Sequence, residues 1–427
     1  MLANRISYFM DLHGPSYTVD TACSSSLVAI DQACRMIRTG VCDQVIVGSA
    51  NLCLHPYVSL QFMRLGVLSK DCRCKVFDVK ANGYVRSEAA CAIFLQKAKV
   101  AKRIYATVVY TKSNCDGYKE QGITFPASAI QAMLFEDFYK ECGIPPTILS
   151  FLEAHGTGTA VGDPEELGAI DKVFCKDRST PLRIGSVKSN LGHTEPASGI
   201  CSVAKILIAM ETGIMPPNLH FTSPIKGVKC LEEGKVEVIT EPTPWEGGYV
   251  GLNAFGFGGV NAHVLLNSYT KEKVNYGRPS DDLPRLVIAS GRTEEAVETL
   301  LNYVESIPVD VEYIRLLHEI HADNISGHLV RGYTLVGGSK VSEKPPREIQ
   351  EFPGTKRPIW FVFTGMGSQW AGMGKGLMRF PTFLKAIQKC DAALKSHGID
   401  IVKIITSQDK DPFDNVLNSF VGIAAIQ

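Results

Sequence analysis

Three short stretches set reactive side chains among small residues. In the first, Asp20–Ser26 (DTACSSS), Cys23 stands between Ala22 and a run of serines. An extended run ends at Val19, and Leu27, Ile30, Cys34 and Ile37 then recur at the helical period, with Gly40 as the stop. Cys23 is therefore expected on a strand-to-helix turn. Free N–H groups and the positive end of the helix dipole favour a thiolate there. The small neighbours leave a substrate room to reach the sulfur. Taken alone, the stretch reads equally well as a buried structural cysteine.

The other two stretches supply histidines. Ile148–Ala154 has a strand pattern and runs into His155–Gly156–Thr157–Gly158–Thr159, whose glycines permit tight turns. Asp163–Pro164–Glu165–Glu166 follows as a helix start, with Asp163 as N-cap and Glu166 closing the cap from the first turn. His155 thus falls in a loop at the C-terminal end of a strand, where α/β folds place chemistry. Leu182–Val187 is a further strand candidate, and Lys188–Ser189–Asn190–Leu191–Gly192–His193 leads from it to a helix beginning around Ala197. The dipole of that helix favours a neutral His193. A last glycine-rich turn, Gly256–Phe257–Gly258–Gly259, enters a strand. Its spacing, and the strand after it, exclude a dinucleotide fingerprint and leave close backbone approach as its purpose.

These residues need a scaffold. The helix after Cys23 and the run Gln44–Val47 suggest a βαβ-type unit, and strand and helix patterns alternate through Ala89–Leu95, Ile104–Tyr110 and Ser128–Tyr139, so an α/β layered core is expected. After Asn267 the chain turns charged and proline-containing. Residues 268–356 read as a linker module with strands near 286–290 and 333–338 and helices near 293–304 and 310–317. At Arg357 a third region begins, with Pro358–Phe363 patterned as a buried strand and Thr382–Leu394 as a helix. Its Gly374–Lys375–Gly376 lacks the Gly-Lys-Ser/Thr of a phosphate loop.

With 44 basic and 44 acidic side chains the formal net charge is zero, and no basic block argues for nucleic acid. Thirteen cysteines lack zinc-ligand or disulfide-framework spacing, which fits a reducing compartment and no metal. No apolar run has the length of a membrane span, and residues 1–10 do not read as a signal peptide.

DTACSSS (20–26), EAHGTGT (153–159), KSNLGH (188–193) and GFGGVNAH (256–263), in that order, resemble the β-ketoacyl synthase family of the thiolase superfamily across residues 1–267. SGRTEEAV (290–297), RPIWFVFTGMGSQWAGMG (357–374), QFMRLGVLS (61–69) and NLHFTSPI (218–225) are similar to animal-type, insect-like fatty acid synthases. The implied fold is α/β: a thiolase-like layered α-β-α-β-α domain over 1–267, N-terminally incomplete, then a small α/β linker module over 268–356. The start of an α/β acyltransferase domain over 357–427 follows, its nucleophile motif lying beyond Gln427. Missing strands would leave apolar faces uncovered, so this chain alone is expected to fold or turn over poorly.

The resemblance implies that Cys23 receives an acyl chain and that His155 and His193 act on malonyl carried by acyl carrier protein, with Lys188 supporting their charge network. It implies backbone N–H groups of Cys23 and Phe257 as an oxyanion hole, Phe257 as a gate, and Gly256, Gly258, Thr157 and Thr159 lining the substrate site. Gln369 matches an oxyanion residue of the acyltransferase. Phosphopantetheine is supplied by the carrier. The condensing domain binds no cofactor, and NADPH belongs to reductase domains absent here. The implied product is a β-ketoacyl thioester made by decarboxylative condensation in fatty acid biosynthesis, by a cytoplasmic homodimer. The alternatives are a fatty-acid-synthase-like polyketide synthase and an inactive structural fragment. Glu166 is read as a helix cap, and His55, His220 and His263 as structural.

Overall fold

The apolar runs of the first two thirds of the chain become the strands of one six-stranded sheet. Its order is Ala106–Cys115, Val260–Ser268, Tyr249–Phe255, Leu149–Glu153, Leu182–Gly185, Val236–Val238. The first two ladders are antiparallel and the remaining three parallel. Strands covered on both faces read as largely apolar runs, and Tyr249–Phe255 and Leu149–Glu153 do, with Asn253 and Glu153 as buried polar exceptions.

The computed structural model describes residues 1–101, 103–269, 278–338, 346–355, 358–409 and 411–427. The centre of the expected charged linker, much of the polar run after residue 338, and Arg357 at the expected start of the third region lie outside the described residues. The chain divides into two compact units, Met1–Thr270 and Lys271–Gln427.

In the first unit, strand periodicity sends alternate side chains to opposite cores. Leu152 and Leu265 join Phe135, Phe138, Leu167 and Ile170 from helices Ser128–Cys142 and Gly162–Phe174. Phe151, Val264 and Leu266 join Leu27, Ile30, Ile200 and Ile206 from helices Ser25–Thr39 and Ser198–Thr212. Each such side chain contributes roughly 1.5–3 kcal/mol on burial. Helices on both faces of the sheet make the layered thiolase-like α/β fold.

One local expectation is corrected. No strand precedes the Cys23 helix among the described residues, because Pro15–Val19 joins no ladder. Gln44–Asn51 pairs instead antiparallel with Ala89–Gln96, with Ser49 opposite Cys91. That pairing makes a hairpin-like layer rather than a βαβ unit.

In the second unit, Arg285–Gly291, Val330–Val336 and Arg347–Glu351 form an antiparallel sheet. Helices Glu294–Ser306 and Val311–His321 pack Val297, Leu301, Ile314 and Leu317 against Val287. Thr293 and Asp310 cap these helices with their side chains. Further along, Ile387, Ile401, Ile404 and Ile405 form a separate small core. Pro358–Phe363 is not a strand: no ladder engages it, and Ile359, Trp360, Phe361 and Val362 are each more than 80% exposed. Alternation alone cannot make a strand without a neighbour to take its N–H and C=O groups. No described helix is long and apolar enough to cross a membrane.

Candidate active site

The serine run around Cys23 builds its turn. Ser24 Oγ donates to the Thr21 carbonyl (2.9 Å) and Ser25 Oγ to the Ala22 carbonyl (2.7 Å), while Ala22 N–H donates to Asp20 Oδ1 (3.0 Å). These bonds hold Ala22 at φ +54°, a left-handed conformation that costs an alanine about 1–3 kcal/mol. Cys23 then lies in a 3-10 turn, Ala22–Ser24, stacked on helix Ser25–Thr39. Helix Ser198–Thr212 closes in from the side. Ser198 Oγ donates to the Cys23 carbonyl (3.2 Å), and a Cβ at Gly199 would come within 2.6 Å of Leu27 Cγ.

The two predicted histidines converge on this turn. His193 Nε2 stands 3.0 Å from Cys23 Sγ, and the His155 and His193 ring centroids are 5.7 Å apart, nearly perpendicular. The tautomers follow from the main chain. Glu195 N–H donates to His193 Nδ1 (3.2 Å) and Phe255 N–H to His155 Nδ1 (3.3 Å). A backbone N–H can only donate, so each neutral ring carries its hydrogen on Nε2. His193 therefore donates toward the sulfur.

Electrostatics keep the rings neutral. Burial holds both histidines well below the usual imidazole range, and the nearby Lys188 charge adds to it. The helix dipole invoked from sequence is not the leading cause. Lys188 is itself buried, its pKa lowered by desolvation, and Nζ donates to the His155 carbonyl oxygen (2.5 Å). Burial pushes the Cys23 thiol up to about 11, against Lys188 and the backbone N–H groups of Phe257 and Cys23, which lower it. The expectation of a resting thiolate is thus corrected: desolvation outweighs the helix end. The Phe257 and Cys23 N–H groups both act on the sulfur, so both stand beside the atom that would carry an acyl group.

The loop bearing His155 hangs from two carboxylates. Glu166 accepts the N–H groups of His155 and Gly156 (both 2.8 Å) and the Asn253 amide (2.9 Å). Asp163 accepts N–H groups from Phe77 (2.8 Å), Thr157 (3.1 Å) and Gly158 (3.1 Å). Neither caps its own helix, whose N-cap is Val161, so both helix-cap readings are corrected. These side chains turn outward because the glycine loop offers unpaired N–H groups in a buried place, where an unmet donor is costly. Burial raises the Asp163 pKa to about 7 and raises that of Glu166. A second buried pair, Glu153 and Lys205 (2.6 Å), ties Val187 N–H (2.6 Å) just before Lys188.

The remaining sequence-predicted residues are placed as follows. Thr157 and Thr159 share a hydroxyl–hydroxyl bond (3.0 Å), and Thr159 Oγ1 also accepts Gly162 N–H (3.1 Å). Phe257 is 37% exposed, edge-on to Phe62 at 6.0 Å. Gly256 abuts the Cys23 turn and Gly258 faces open space. Gln369 lies in the second unit, where its Oε1 accepts Gly367 N–H (2.8 Å). His263 is fully buried between Tyr139 (3.1 Å) and Asn253 (2.6 Å). A groove of about 810 Å³ lined by Lys140, Lys172, Lys176 and Pro145 contains none of the sequence-predicted site residues. Among the described residues no cluster of His, Cys, Asp and Glu could hold a metal ion.

Sequence reasoning missed the supporting roles of Asp163, Glu166, Asn253 and the Glu153–Lys205 pair. A usable signal existed: acids in a helix's first turn directly after a glycine-rich loop have two sets of N–H groups to choose from.

Known families match in segments. The β-ketoacyl synthase N-terminal domain matches residues 1–101 and its C-terminal domain residues 105–222; the ketoacyl-synthetase C-terminal extension matches 224–335 and the acyl transferase domain 360–427. A hybrid PKS-NRPS synthetase of Aspergillus terreus is 37% identical over 93% of this chain and 64% of its own length. A fatty acid synthase of Anser anser anser is 52% identical over 50% of this chain and 61% of its own length. Among solved structures, the ketosynthase from module 6 of the bacillaene synthase of Bacillus subtilis is 34% identical with a TM-score of 0.69, over 79% of this chain and 60% of that one. The chain thus spans under two thirds of the length of each of these three relatives.

Proposed function

We propose that this chain, a ketoacyl-synthase and acyl-transferase protein related both to fungal polyketide synthases and to animal fatty acid synthases, performs decarboxylative Claisen condensation at Cys23. The observation that carries the reading is the convergence of two neutral imidazoles on one cysteine, each with its Nδ1 filled by a backbone N–H and its hydrogen on Nε2.

In the first half-reaction the Cys23 sulfur attacks an acyl thioester. A carbon–sulfur bond forms to Cys23, the carrier thiol leaves, and the cysteine's proton goes with it. The Cys23 and Phe257 N–H groups stabilise the tetrahedral oxyanion. In the second, malonyl borne on the phosphopantetheine of an acyl carrier protein loses carbon dioxide. The Nε2–H groups of His155 and His193 hydrogen-bond the thioester oxygen as enolate charge develops. Neutral donors serve this better than cations because the carbanion must remain nucleophilic. The enolate carbon attacks the acyl carbonyl, a carbon–carbon bond forms, and the Cys23 sulfur departs as a thiolate and takes a proton from water. Lys188 holds the His155 carbonyl and lends positive charge to the site. Thr157 and Thr159 offer hydroxyls to the arriving carrier arm, and Phe257 gates the acyl pocket. Gln369 would serve a separate acyl-transfer site.

Two product classes share this chemistry. Polyketide-type and hybrid synthases matched over more than nine tenths of the chain favour a fatty-acid-synthase-like polyketide synthase. The 52% identity to the goose enzyme supports fatty acid extension as the second reading. The test is incubation of the chain with an acyl thioester and malonyl-carrier protein. Covalent mass gain at Cys23 followed by release of carbon dioxide and a β-ketoacyl carrier is expected. Absence of both, in this chain and in one extended at each end, would sink the reading.

A further inference from the structure

We propose that Arg86 is a positioning residue for His193. Its guanidinium clamps Glu195 in a conformation that aims the Glu195 N–H at His193 Nδ1, and so keeps the ring's Nε2–H on Cys23. The inference deepens the condensation reading and rests on it.

Glu195 has φ +44°, in the left-handed region, although it is not glycine. Such a residue costs about 1–3 kcal/mol and persists only where its surroundings over-determine it. The over-determination is visible. Arg86 Nε donates to Glu195 Oε1 (2.6 Å) and Nη2 to Oε2 (3.0 Å), a two-pronged pair with side chains only 8% and 13% exposed. The third guanidinium nitrogen, Nη1, donates to Ser59 Oγ (2.8 Å), and the guanidinium lies 5.6 Å from the Phe62 ring centroid. Arg86 is therefore fixed before it grips Glu195. A fork of this kind sets angle as well as distance, which a lysine cannot do.

The main chain closes the device. His193 N–H donates to the Val85 carbonyl (2.7 Å) and Ser87 N–H to the His193 carbonyl (3.0 Å), a parallel bridge that brackets Arg86 against the histidine. The Tyr84 ring stands edge-on to the imidazole at 5.0 Å. Backbone and Tyr84 thus fix where the ring is. The Glu195 N–H fixes which nitrogen carries the hydrogen. Release of the Glu195 side chain lets its backbone leave the left-handed region, and that N–H turns away from Nδ1. His193 is then free to take the other tautomer or to rotate.

The test uses the full chain, with Arg86→Gln, Arg86→Lys and Glu195→Gln. The first readout is malonyl decarboxylation with malonyl-carrier protein. Arg86→Gln is expected to lower kcat about 10- to 100-fold while KM stays within about threefold, because the ring is misdirected and the carrier site is untouched. Arg86→Lys keeps the charge without the fork and is expected to show the same kcat loss with the parent's unfolding midpoint. The second readout needs no turnover: the rate at which iodoacetamide alkylates Cys23. The Glu195 charge raises the Cys23 pKa, so charge removal alone speeds alkylation in Glu195→Gln. Loss of the His193 donor slows it, and slowing is the expected result. Parent-like kcat in Arg86→Lys, or faster alkylation in Glu195→Gln, overturns the clamp. A parent that never decarboxylates malonyl overturns the condensation reading and leaves alkylation to decide the clamp.

Discussion

Glu166 holds His155 by the main chain rather than by the ring: its two carboxylate oxygens take the N–H groups of His155 and Gly156, each at 2.8 Å. The imidazole keeps its own backbone donor, Phe255 N–H, on the far nitrogen. A carboxylate is suited to this place because it presents acceptors only. In Glu166→Gln one of the two oxygens becomes an NH2 group facing an N–H, and a buried donor goes unmet. A stability loss of about 1–3 kcal/mol is expected, read from the urea midpoint. Malonyl decarboxylation should fall further than acylation of Cys23, since the displaced loop carries His155 and not the cysteine. Equal loss of both half-reactions would mean that Glu166 only stabilises the fold.

The division of labour between sulfur and imidazoles gives a second prediction. Cys23→Gln removes the nucleophile and leaves an amide of similar reach beside His193 Nε2. Condensation is expected to vanish, while malonyl decarboxylation persists. Adding His155→Ala or His193→Ala to that background should abolish carbon dioxide release. Persistence of decarboxylation in either double variant would remove the corresponding histidine from the mechanism.

Lys188 bears on the thiol without touching it. Its charge lowers a Cys23 pKa that burial has pushed to about 11. In Lys188→Met that support is gone, so the thiol titrates higher still. Alkylation of Cys23 by iodoacetamide should be slower at every pH below about 10, with a profile displaced upward. The same charge depresses His155 and His193, so both rings should become easier to protonate in the variant. A profile identical to the parent's would show that solvent screens Lys188 from the sulfur.

His263 offers a stability test away from the chemistry. Burial lowers its pKa from 6.5 to about 3, and the neutral ring is bonded to Asn253 and Tyr139. A depressed histidine contributes stability that is whole above the unfolded value and lost as pH falls toward the folded one. Asp163, raised to about 7, acts in the opposite sense, its contribution fading as pH rises through that value. Comparison of parent with His263→Gln cancels the second effect. Between pH 6.5 and about 5 the parent should lose about 1.4 kcal/mol per pH unit more than the variant. Parallel pH profiles would show that His263 takes up its proton over the same range in the folded and unfolded states.

Much of this site was legible because chemistry and backbone use the same residues. Cys23, His155 and His193 stand out in sequence through their small neighbours, and small neighbours are what let three segments spread across 170 positions meet. The strands were legible because a sheet covered on both faces needs continuous apolar runs. What was not legible depended on partners distant in sequence. Glu166 and Asp163 could have capped their own helix, and only the fold shows that the loop of His155 had the stronger claim on them. Arg86 carries no signal of its own in sequence until Glu195 is placed against it. The thiol's pKa depended on how deeply the turn is enclosed, which local pattern does not carry.

Two glycines that look alike in sequence, Gly256 and Gly258, separate cleanly in space. A Cβ on Gly256 would overlap the Thr21 carbonyl oxygen and come within 2.8 Å of Ser24 Oγ, both part of the turn that presents Cys23. A Cβ on Gly258 would meet nothing within 4 Å. Gly256 is tied in turn to Val260, N–H to carbonyl at 2.8 Å, so the glycine turn cannot simply slide away. Gly256→Ala must push the Cys23 and Phe257 segments apart, and with them the two backbone N–H groups that act on the sulfur. Acylation of Cys23 is expected to fall on the order of a hundredfold, the scale of losing one oxyanion donor. Gly258→Ala should acylate within about twofold of the parent, since no contact changes. Intact-protein mass spectrometry of the acylated chain over time measures both. If Gly256→Ala acylates as fast as Gly258→Ala, the glycine turn and the cysteine turn do not act as one unit, and the oxyanion site must be sought elsewhere around Cys23.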